Sequence, residues 1–306
     1  MGLRAPAPMR VGFAGLGLMG SRIARRLSLS GAELLLWDRT ASRAREVASG
    51  IPGSVAAADL GELGAADVVF VMVRDSPATL SVVSGLPAGR RTVVNLGTIL
   101  PQDSLRIRSI VESGGGRFVD APVVGSTPAA EEGRLVVLAS GERRDVEGVM
   151  PLLSLIGRTI YAGPIPSGTH AKLAANLILA GMTEVLAEAL EFSDSVGLDR
   201  RVLADVLGAS PYHNAYFDLK LGPMMRGEFP AQFPLELMHK DLRYILAVAQ
   251  EAGAFVPLTA LAEQLYGEAE RRGCSREDVA AISKFIGTGC GPPGASDVNK
   301  PPDRGA

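Results

Sequence analysis

The sequence predicts an α/β fold with a largely parallel sheet in the first half of the chain and an all-α fold in the second half. From Arg10 to about Gly163, short apolar and β-branched runs alternate with helical patterns. These runs are apolar almost throughout, which is typical of parallel strands that helices cover on both faces. After the glycine- and proline-rich stretch YAGPIPSG, the strand pattern disappears.

The strands predicted in the first half are, in order, RVGFAG, AELLLWD, DVVFVMV, RTVVNLG, RFVDAPVV, RLVVLAS and TIYAG. In the second half, Ser167 or Thr169 can cap a long helix that runs to about Val196 and ends at Gly197. Further helical patterns cover residues 200–207, 237–252, 258–272 and 276–285. We therefore expect one domain over residues 9–163 and a helical domain over 164–288. Residues 289–306 lack core-forming side chains and are expected to be a disordered tail.

The composition is that of a globular protein without a bias toward nucleic acid or membrane surfaces. The chain has 306 residues, 47% of them hydrophobic, with 31 basic and 33 acidic residues and a net charge of −2. This balance argues against nucleic-acid and membrane partners and favours a small-molecule substrate. Cys274 and Cys290 lack the spacing of metal ligands, so no metal site is predicted. The apolar stretch near the N-terminus is too short for a secretory signal, so we expect a cytoplasmic protein.

The longest apolar run covers residues 173–190 and is interrupted by Asn176, Glu184 and Glu188. These polar residues argue against a membrane-spanning helix. A helix that is apolar on most faces must be buried, either in the core of its domain or in a subunit interface. We therefore expect a homodimer or a homotetramer.

The segment VGFAGLGLMGSRIARRL joins the first predicted strand to a helix through three glycines. Gly15 permits a tight turn, Gly17 lets the backbone approach a pyrophosphate, and Gly20 allows the helix to pack closely. The free N–H groups at the start of the helix can bind phosphate. Asp38 ends the second predicted strand 18 residues after Gly20, where a carboxylate can bind the adenosine ribose. This order predicts a Rossmann-like dinucleotide-binding domain with the loop residues Gly15, Leu16, Gly17, Leu18, Met19 and Gly20.

The stretch WDRTASR contains signals for both nicotinamide cofactors. Asp38 favours NAD(H), because a carboxylate accepts hydrogen bonds from the ribose and repels a 2′-phosphate. Arg39, Thr40, Ser42 and Arg43 could instead surround that phosphate, which favours NADP(H). The alternative interpretation is that both arginines are solvated residues at the start of a helix. We expect NADP(H), and NAD(H) stays open.

Several sequence blocks together resemble the β-hydroxyacid dehydrogenase family, which includes the 3-hydroxyisobutyrate dehydrogenases and the glyoxylate/succinic semialdehyde reductases. The blocks are GFAGLGLMG, NLGTILP, DAPVVGSTPAAEEGRLVVLASGE, GTHAKLAANLILAGMTEVLAEAL and EFPAQFPLELMHKDLRYILAVAQEAG. The segment GSTPAAEEGRL looks more like the semialdehyde reductases. The resemblance implies a Rossmann-like domain and a helical domain of the 6-phosphogluconate dehydrogenase type. It also implies hydride transfer between NAD(P)(H) and a small aldehyde or hydroxy acid.

The resemblance further implies which residues carry the reaction. Lys172 matches the family's catalytic lysine, and Asn176 completes its K-x-x-x-N pattern. Thr98 in NLGT matches the threonine near the nicotinamide, and Lys240 in HKDL matches a lysine on the cofactor side. The chemistry agrees, because hydride addition to a carbonyl leaves an alkoxide that an ammonium group can stabilise and protonate. Residues 172 and 176 lie one helical turn apart, so the amide can orient the lysine or the substrate oxygen.

The substrate-binding segment departs from the family pattern. Where D-A-P-V-S-G is usual, this chain has DAPVVG, so Val124 replaces a serine that helps to bind the substrate carboxylate. Gly125, Ser126 and Thr127 could still offer N–H groups and hydroxyls to an anion. The segment NLGT likewise has Gly97 where serine is common. A less polar acceptor is therefore an open alternative.

Three functions are open on the sequence alone. The first is a reductase of small aldehyde acids, the second a reductase of imines or uncharged carbonyls, and the third a nucleotide-binding protein without catalysis. The related imine reductases typically carry aspartate or tyrosine at the lysine position, so Lys172 argues against them. The polar pair of Lys172 and Asn176 on an apolar helix argues against a non-catalytic protein.

Overall fold

The computed structural model of the protein describes residues 9–287. The tail predicted over residues 289–306 lies outside these described residues. The chain divides into two compact units, of which the first ends at Ala175 and the second begins at Asn176. The prediction of an α/β first half and a helical second half is confirmed.

The first unit is built on a sheet that has nine strands within the described residues. Each of the seven predicted runs contains a strand, and the run RFVDAPVV contains two. The sequence does not predict β3, because a three-residue edge strand carries too little apolar pattern. The strands are β1 (Arg10–Ala14), β2 (Glu33–Trp37), β3 (Ser54–Ala56), β4 (Val68–Val71), β5 (Thr92–Asn95), β6 (Arg117–Asp120), β7 (Val123–Val124), β8 (Leu135–Ser140) and β9 (Gly157–Gly163).

Six of these strands form a parallel sheet in the order β3-β2-β1-β4-β5-β6. This is the order of a Rossmann-type sheet, in which the direction of strand addition switches between β1 and β4. β8 pairs antiparallel with β6 and β7, and it pairs parallel with β9. In open parallel sheets the ligand binds beyond the carboxyl ends of the strands at the switch point. The loop after β1 therefore lies where a dinucleotide is expected.

Two apolar clusters cover the two faces of the sheet. Phe13 of β1 belongs to one cluster and Ala14 to the other, and Phe70 and Val71 of β4 divide in the same way. This alternation follows from the two-residue period of a strand. The helices of this unit are α1 (Gly20–Leu27), α2 (Ala41–Ser49), α3 (Ser76–Gly85), α4 (Pro101–Ser113), α5 (Thr127–Glu132) and α6 (Arg143–Ile156).

Helix α7 (Ser167–Ser195) has 29 residues and contains the division between the two units. Its end before Gly197 agrees with the prediction, since Gly197 has a φ of +77°. By length and composition alone α7 could cross a membrane, and 44% of its apolar window is buried inside the protein. The hydroxyl of Thr169 donates to the carboxylate of Asp120.

The second unit continues after α7 with further helices. They are α8 (Arg200–Ala209), α9 (Ala215–Arg226), α10 (Leu235–Ala252), α11 (Pro257–Ala269) and α12 (Ile282–Ile286). The sequence does not predict α9, because Gly222 and Pro223 interrupt its helical pattern. The helix predicted over residues 276–285 is wrong in extent. Asp278 accepts from the N–H of Ala280 and begins a 3₁₀ turn there, and α12 follows it.

Candidate active site

The loop after β1 has the geometry that its glycines predict. Gly15 has a φ of +98°, and a Cβ at this position would lie 2.3 Å from the carbonyl oxygen of Met72. A Cβ on Gly20 would lie 1.9 Å from the carbonyl oxygen of Gly15. A side chain at either position would collide with the backbone, so the turn from β1 into α1 requires both glycines.

The middle of the loop is open on the side that a ligand would approach. Apart from its chain neighbours, no described atom lies within 4 Å of a Cβ placed on Gly17. Leu16 is buried in the core, Leu18 is exposed, and Met19 precedes the first residue of α1. The first N–H groups of α1 therefore start beside an open stretch of backbone. This arrangement fits the pyrophosphate of a dinucleotide.

The carboxylate of Asp38 braces the glycine loop. One oxygen accepts from the N–H of Leu16 and the other from the N–H of Thr40, both at 2.8 Å. The Nε of Arg43 donates to the carbonyl oxygen of Leu16 at 2.5 Å. Asp38 and Arg43 thus hold the loop from the end of β2 and from α2. The side chain of Arg39 is exposed beside them.

The predicted nicotinamide and substrate segments follow neighbouring strands of the sheet. Thr98 lies in the loop after β5 and is half-buried. Val124 lies in β7, opposite Val136 of β8. Gly125 follows with a φ of +130°. The segment then continues through Ser126 into α5, which begins at the buried Thr127.

Gly97, which stands where serine is common, is closely packed. A Cβ there would lie 3.0 Å from the carbonyl oxygen of Val73 and 3.4 Å from the side-chain oxygen of Asn95. The Asn95 amide also accepts from the N–H of Gly97 at 3.1 Å and donates to its carbonyl oxygen at 3.0 Å. The loop that carries Thr98 is therefore held by one buried amide.

The predicted catalytic pair lies on α7, and both side chains are buried. Lys172 is 8% exposed and Asn176 is 1% exposed. Burial of an ammonium group and an amide in an apolar helix is unfavourable unless both are hydrogen-bonded. Each has polar interactions in the structure. The structure places the two residues one turn apart, as the K-x-x-x-N spacing predicts.

Asp241 is a site residue that the sequence reasoning missed. Its side chain is 2% exposed, and one carboxylate oxygen accepts from the Nδ2 of Asn176 at 2.5 Å. The Nζ of Lys240 lies 2.6 Å from the other oxygen and 4.6 Å from the ring centre of Tyr244. One feature of the sequence points to Asp241. This acid in HKDL lies three residues after the apolar Met238, on the same face of α10. An acid in an apolar stripe indicates a specific partner.

Within residues 9–287 the structure has no group of three or more histidine, cysteine, aspartate or glutamate side chains arranged to hold a metal ion. The predicted catalytic pair on α7 supplies an ammonium and an amide, and Asp241 supplies a carboxylate beside Asn176. Such groups can donate a proton, orient an oxygen and balance a charge.

Comparison with known proteins matches both halves of the chain. The NAD binding domain of 6-phosphogluconate dehydrogenase matches residues 10–163, and the NAD-binding domain of NADP-dependent 3-hydroxyisobutyrate dehydrogenase matches residues 166–286. The chain is 31% identical over 285 residues to glyoxylate/succinic semialdehyde reductase 1 of Arabidopsis thaliana. The match covers 91% of this chain and 98% of that protein.

Two solved structures are similar over almost the whole of this chain. The first is 3-hydroxyisobutyrate dehydrogenase from Salmonella typhimurium, with a TM-score of 0.81 and 23% identity, covering 90% of this chain and 99% of that one. The second is Psf3 in complex with NADP+ and 2-OPP, with a TM-score of 0.79 and 26% identity, covering 90% and 99% of the respective chains.

Proposed function

This chain belongs to the β-hydroxyacid dehydrogenase family and is an NAD(P)-dependent oxidoreductase, and from that premise we propose that it reduces small aldehyde acids of the glyoxylate or semialdehyde type. The observation that carries the proposal is the pair of buried polar side chains on α7, Lys172 and Asn176, one helical turn apart. The Arabidopsis relative is a reductase of glyoxylate and succinic semialdehyde by name, which supports this substrate class.

The chain's own residues supply the proton and the orientation that carbonyl reduction needs. When bound, the nicotinamide dinucleotide supplies the hydride. Lys172 stabilises the negative charge that develops on the carbonyl oxygen, and it donates the proton that completes the alcohol. The Nδ2 of Asn176 is engaged with Asp241, so its amide oxygen is presented as the acceptor for an ammonium or hydroxyl group.

NADP(H) is the cofactor that we propose. Arg39 and Thr40 are exposed next to the ribose-side acid, where they are accessible to a 2′-phosphate. Asp38 would repel that phosphate, but both of its oxygens already accept backbone N–H groups. These hydrogen bonds offset part of the negative charge of Asp38. The positive charge of the exposed Arg39 therefore outweighs it in attracting a phosphate to this position.

A second candidate function rests on Val124. This side chain makes the segment after β6 less polar than the serine that is usual in the family, and it is only half-buried. An apolar side chain at the substrate-binding segment favours a substrate whose contacting part is uncharged. The alternative is therefore a reductase of uncharged carbonyls or imines.

A substrate panel tests both candidates. Purified protein is assayed with glyoxylate, succinic semialdehyde, an uncharged aldehyde of similar size and a cyclic imine, each with NADPH and with NADH, by the loss of reduced-nicotinamide absorbance. We expect the highest kcat/KM with an aldehyde acid and NADPH. Turnover of the uncharged aldehyde alone, or of the imine alone, would favour the second candidate and contradict reduction of aldehyde acids.

The exposed face of α7 supports a homodimer or homotetramer. Ile178, Val185 and Phe192 recur at intervals of seven residues and are each at least 60% exposed, and Val196 extends this apolar stripe. Large apolar side chains aligned on one exposed helix face are typical of an interface. Sedimentation velocity tests this assignment. We expect a dimer or tetramer for the unmodified chain and monomers for Phe192→Glu, whereas a monomeric unmodified chain would contradict it.

A further inference from the structure

The carboxylate of Asp120 at the end of β6 is fully buried and lies among donors from three other segments of the first unit. One oxygen accepts from the Nδ2 of Asn95 at 2.9 Å. The other accepts from the hydroxyls of Ser104 at 3.0 Å and Thr169 at 2.6 Å. The backbone N–H of Thr169 also donates to this carboxylate. Four hydrogen bonds therefore converge on one buried acid.

These hydrogen bonds come from uncharged groups. Burial raises the pKa of the Asp120 carboxyl, whereas the hydrogen bonds from Thr169, Asn95 and Ser104 lower it. A buried acid without donors would be strongly unfavourable, so each of these bonds matters for keeping the group in place. The Asp120 carboxylate thus joins β5, α4 and the start of α7 to the end of β6, and we call this arrangement the junction.

One of the segments that meet at this junction is the start of α7. Thr169 lies in the first turn of the helix, where backbone N–H groups have no partner inside the helix. Asp120 accepts a hydrogen bond from one of these N–H groups. A negative charge at this position interacts favourably with the positive end of the helix dipole. A Cβ on Gly168 would lie 2.4 Å from the carbonyl oxygen of Leu138 and 3.0 Å from that of Asp120. The first turn of α7 therefore rests directly on the backbone of the sheet.

The junction connects two segments that carry proposed site residues. Lys172 follows Thr169 by three residues, which places it on the next turn of α7 on the same side. Asn95, which also donates to the Asp120 carboxylate, holds Gly97 through two hydrogen bonds, and Thr98 follows directly. A displacement of the carboxylate would move both segments.

We propose that Asp120 is a positioning residue of this enzyme, whose buried carboxylate sets the placement of Lys172 through Thr169 and that of Thr98 through Asn95. This role rests on the proposed function of Lys172 as the proton donor. Asp120 acts through its partners and does not itself exchange a proton with the substrate. Small displacements of a reacting group reduce turnover steeply, so the link through Thr169 should be visible in kcat.

The chain offers a matched control for this link. Ser104 donates to the same oxygen of Asp120 as Thr169, and both residues are fully buried. Ser104 lies on α4, which carries none of the proposed site residues. Removal of either hydroxyl should weaken the junction to a similar degree, but only removal of the Thr169 hydroxyl breaks a hydrogen bond to the helix that carries Lys172.

The experiment compares Thr169→Val, Thr169→Ser and Ser104→Ala in the full chain. We expect T169V to lower kcat about 10- to 100-fold and to shift the pH profile of kcat, with little change in KM for NADPH. T169S retains the hydroxyl and should restore kcat to within about threefold of the unmodified chain. S104A should retain kcat although its melting temperature falls as in T169V. If valine prevents folding, T169A replaces it, because T169A and T169S differ only in the hydroxyl.

The outcomes separate this inference from the function on which it rests. Equal loss of kcat in T169V and S104A, or an unchanged pH profile in T169V, would overturn the positioning role while Lys172→Ala still abolishes turnover. If Lys172→Ala retains turnover, the proposed function and the positioning role both fail.

Discussion

The side-chain amide of Asn176 donates a hydrogen bond of 2.5 Å to the carboxylate of Asp241, and both side chains are buried. The second oxygen of the same carboxylate lies 2.6 Å from the ammonium group of Lys240. A single acid thus orients one residue of the proposed catalytic pair and balances the charge of a lysine proposed for the cofactor.

This relationship predicts the effect of Asp241→Asn. An amide of the same size cannot balance the charge of Lys240, and it directs N–H groups toward a donor. We expect kcat to fall about 10- to 100-fold. The control is Glu251→Gln, which removes an exposed acid at the end of the same helix. Steady-state kinetics on the best substrate of the panel measure both, and equal kcat values would show that Asp241 does not orient Asn176.

Lys172→Ala is expected to abolish turnover and leave cofactor binding intact, because we propose that Lys172 contacts the carbonyl oxygen of the substrate and not the dinucleotide. Loss of a proton donor lowers kcat by about 10²-fold or more. Lys172→Arg keeps the positive charge but cannot give up its proton at accessible pH, so it separates charge stabilisation from proton donation. Turnover and NADPH titration are measured for both variants. A near-normal kcat in the alanine variant would contradict the mechanism.

The proposed preference for NADPH depends on Arg39. We expect Arg39→Ala to raise KM for NADPH more than KM for NADH, since only NADPH carries the 2′-phosphate. Arg45→Ala is the matched control, because Arg45 is also exposed and lies on α2. The ratio of the two KM values is compared among the three proteins. Equal changes for both cofactors would remove the argument for NADP(H).

Val124→Ser tests where the substrate carboxylate is held. A serine at this position adds a hydroxyl donor, and a hydrogen bond to a charged group contributes on the order of 1.5 to 3 kcal/mol. We expect kcat/KM for glyoxylate or succinic semialdehyde to rise relative to that for an uncharged aldehyde of similar size. Both substrates must be measured, because a general change in activity carries no information about recognition. An unchanged ratio would assign the carboxylate to another group, such as the segment from Gly125 to Thr127.

The buried carboxyl group of Glu184 on α7 should make the stability of the protein depend on pH. Within residues 9–287 neither of its buried carboxylate oxygens has a hydrogen-bond partner. Burial and the neighbouring Glu188 raise the pKa of Glu184 from 4.5 to about 8. The folded state therefore favours the protonated form. Its contribution to stability is fully present below about pH 4.5 and is lost as the pH rises to about 8, by a total on the order of 5 kcal/mol.

Glu184→Gln cannot ionise, so it should retain stability above pH 7 where the unmodified chain loses it. Thermal unfolding between pH 5 and pH 9 measures the difference, which should grow with pH. Glu188→Gln removes only the exposed neighbouring charge, so it should keep most of the pH dependence, because burial is the larger cause of the raised pKa of Glu184. Parallel pH curves for the unmodified chain and E184Q would show that Glu184 does not ionise within this range.

The local parts of the site could be predicted from the sequence by itself. The turn at Gly15 and Gly20 depends on the conformation and space of single residues, and the spacing of Lys172 and Asn176 depends only on the period of a helix. The alternation of apolar runs likewise determined the parallel sheet, because strands covered on both faces must be apolar throughout. The sequence thus determined most of the elements and their order, whereas the three-residue strand β3 and the helix α9, which contains Gly222 and Pro223, carry no clear pattern.

Tertiary structure alone decided which buried polar groups meet. Asp241 and Asn176 are separated by 65 residues, and Asp120 and Thr169 by 49. No local pattern specifies such a pair, because the partner of a buried carboxylate depends on how distant elements pack. Burial then makes the pairing obligatory, since a carboxylate removed from water is tolerated only where donors replace the water. For that reason the sequence identified the lysine of the proposed reaction, whereas the acids that hold its surroundings in place became visible only in the folded chain.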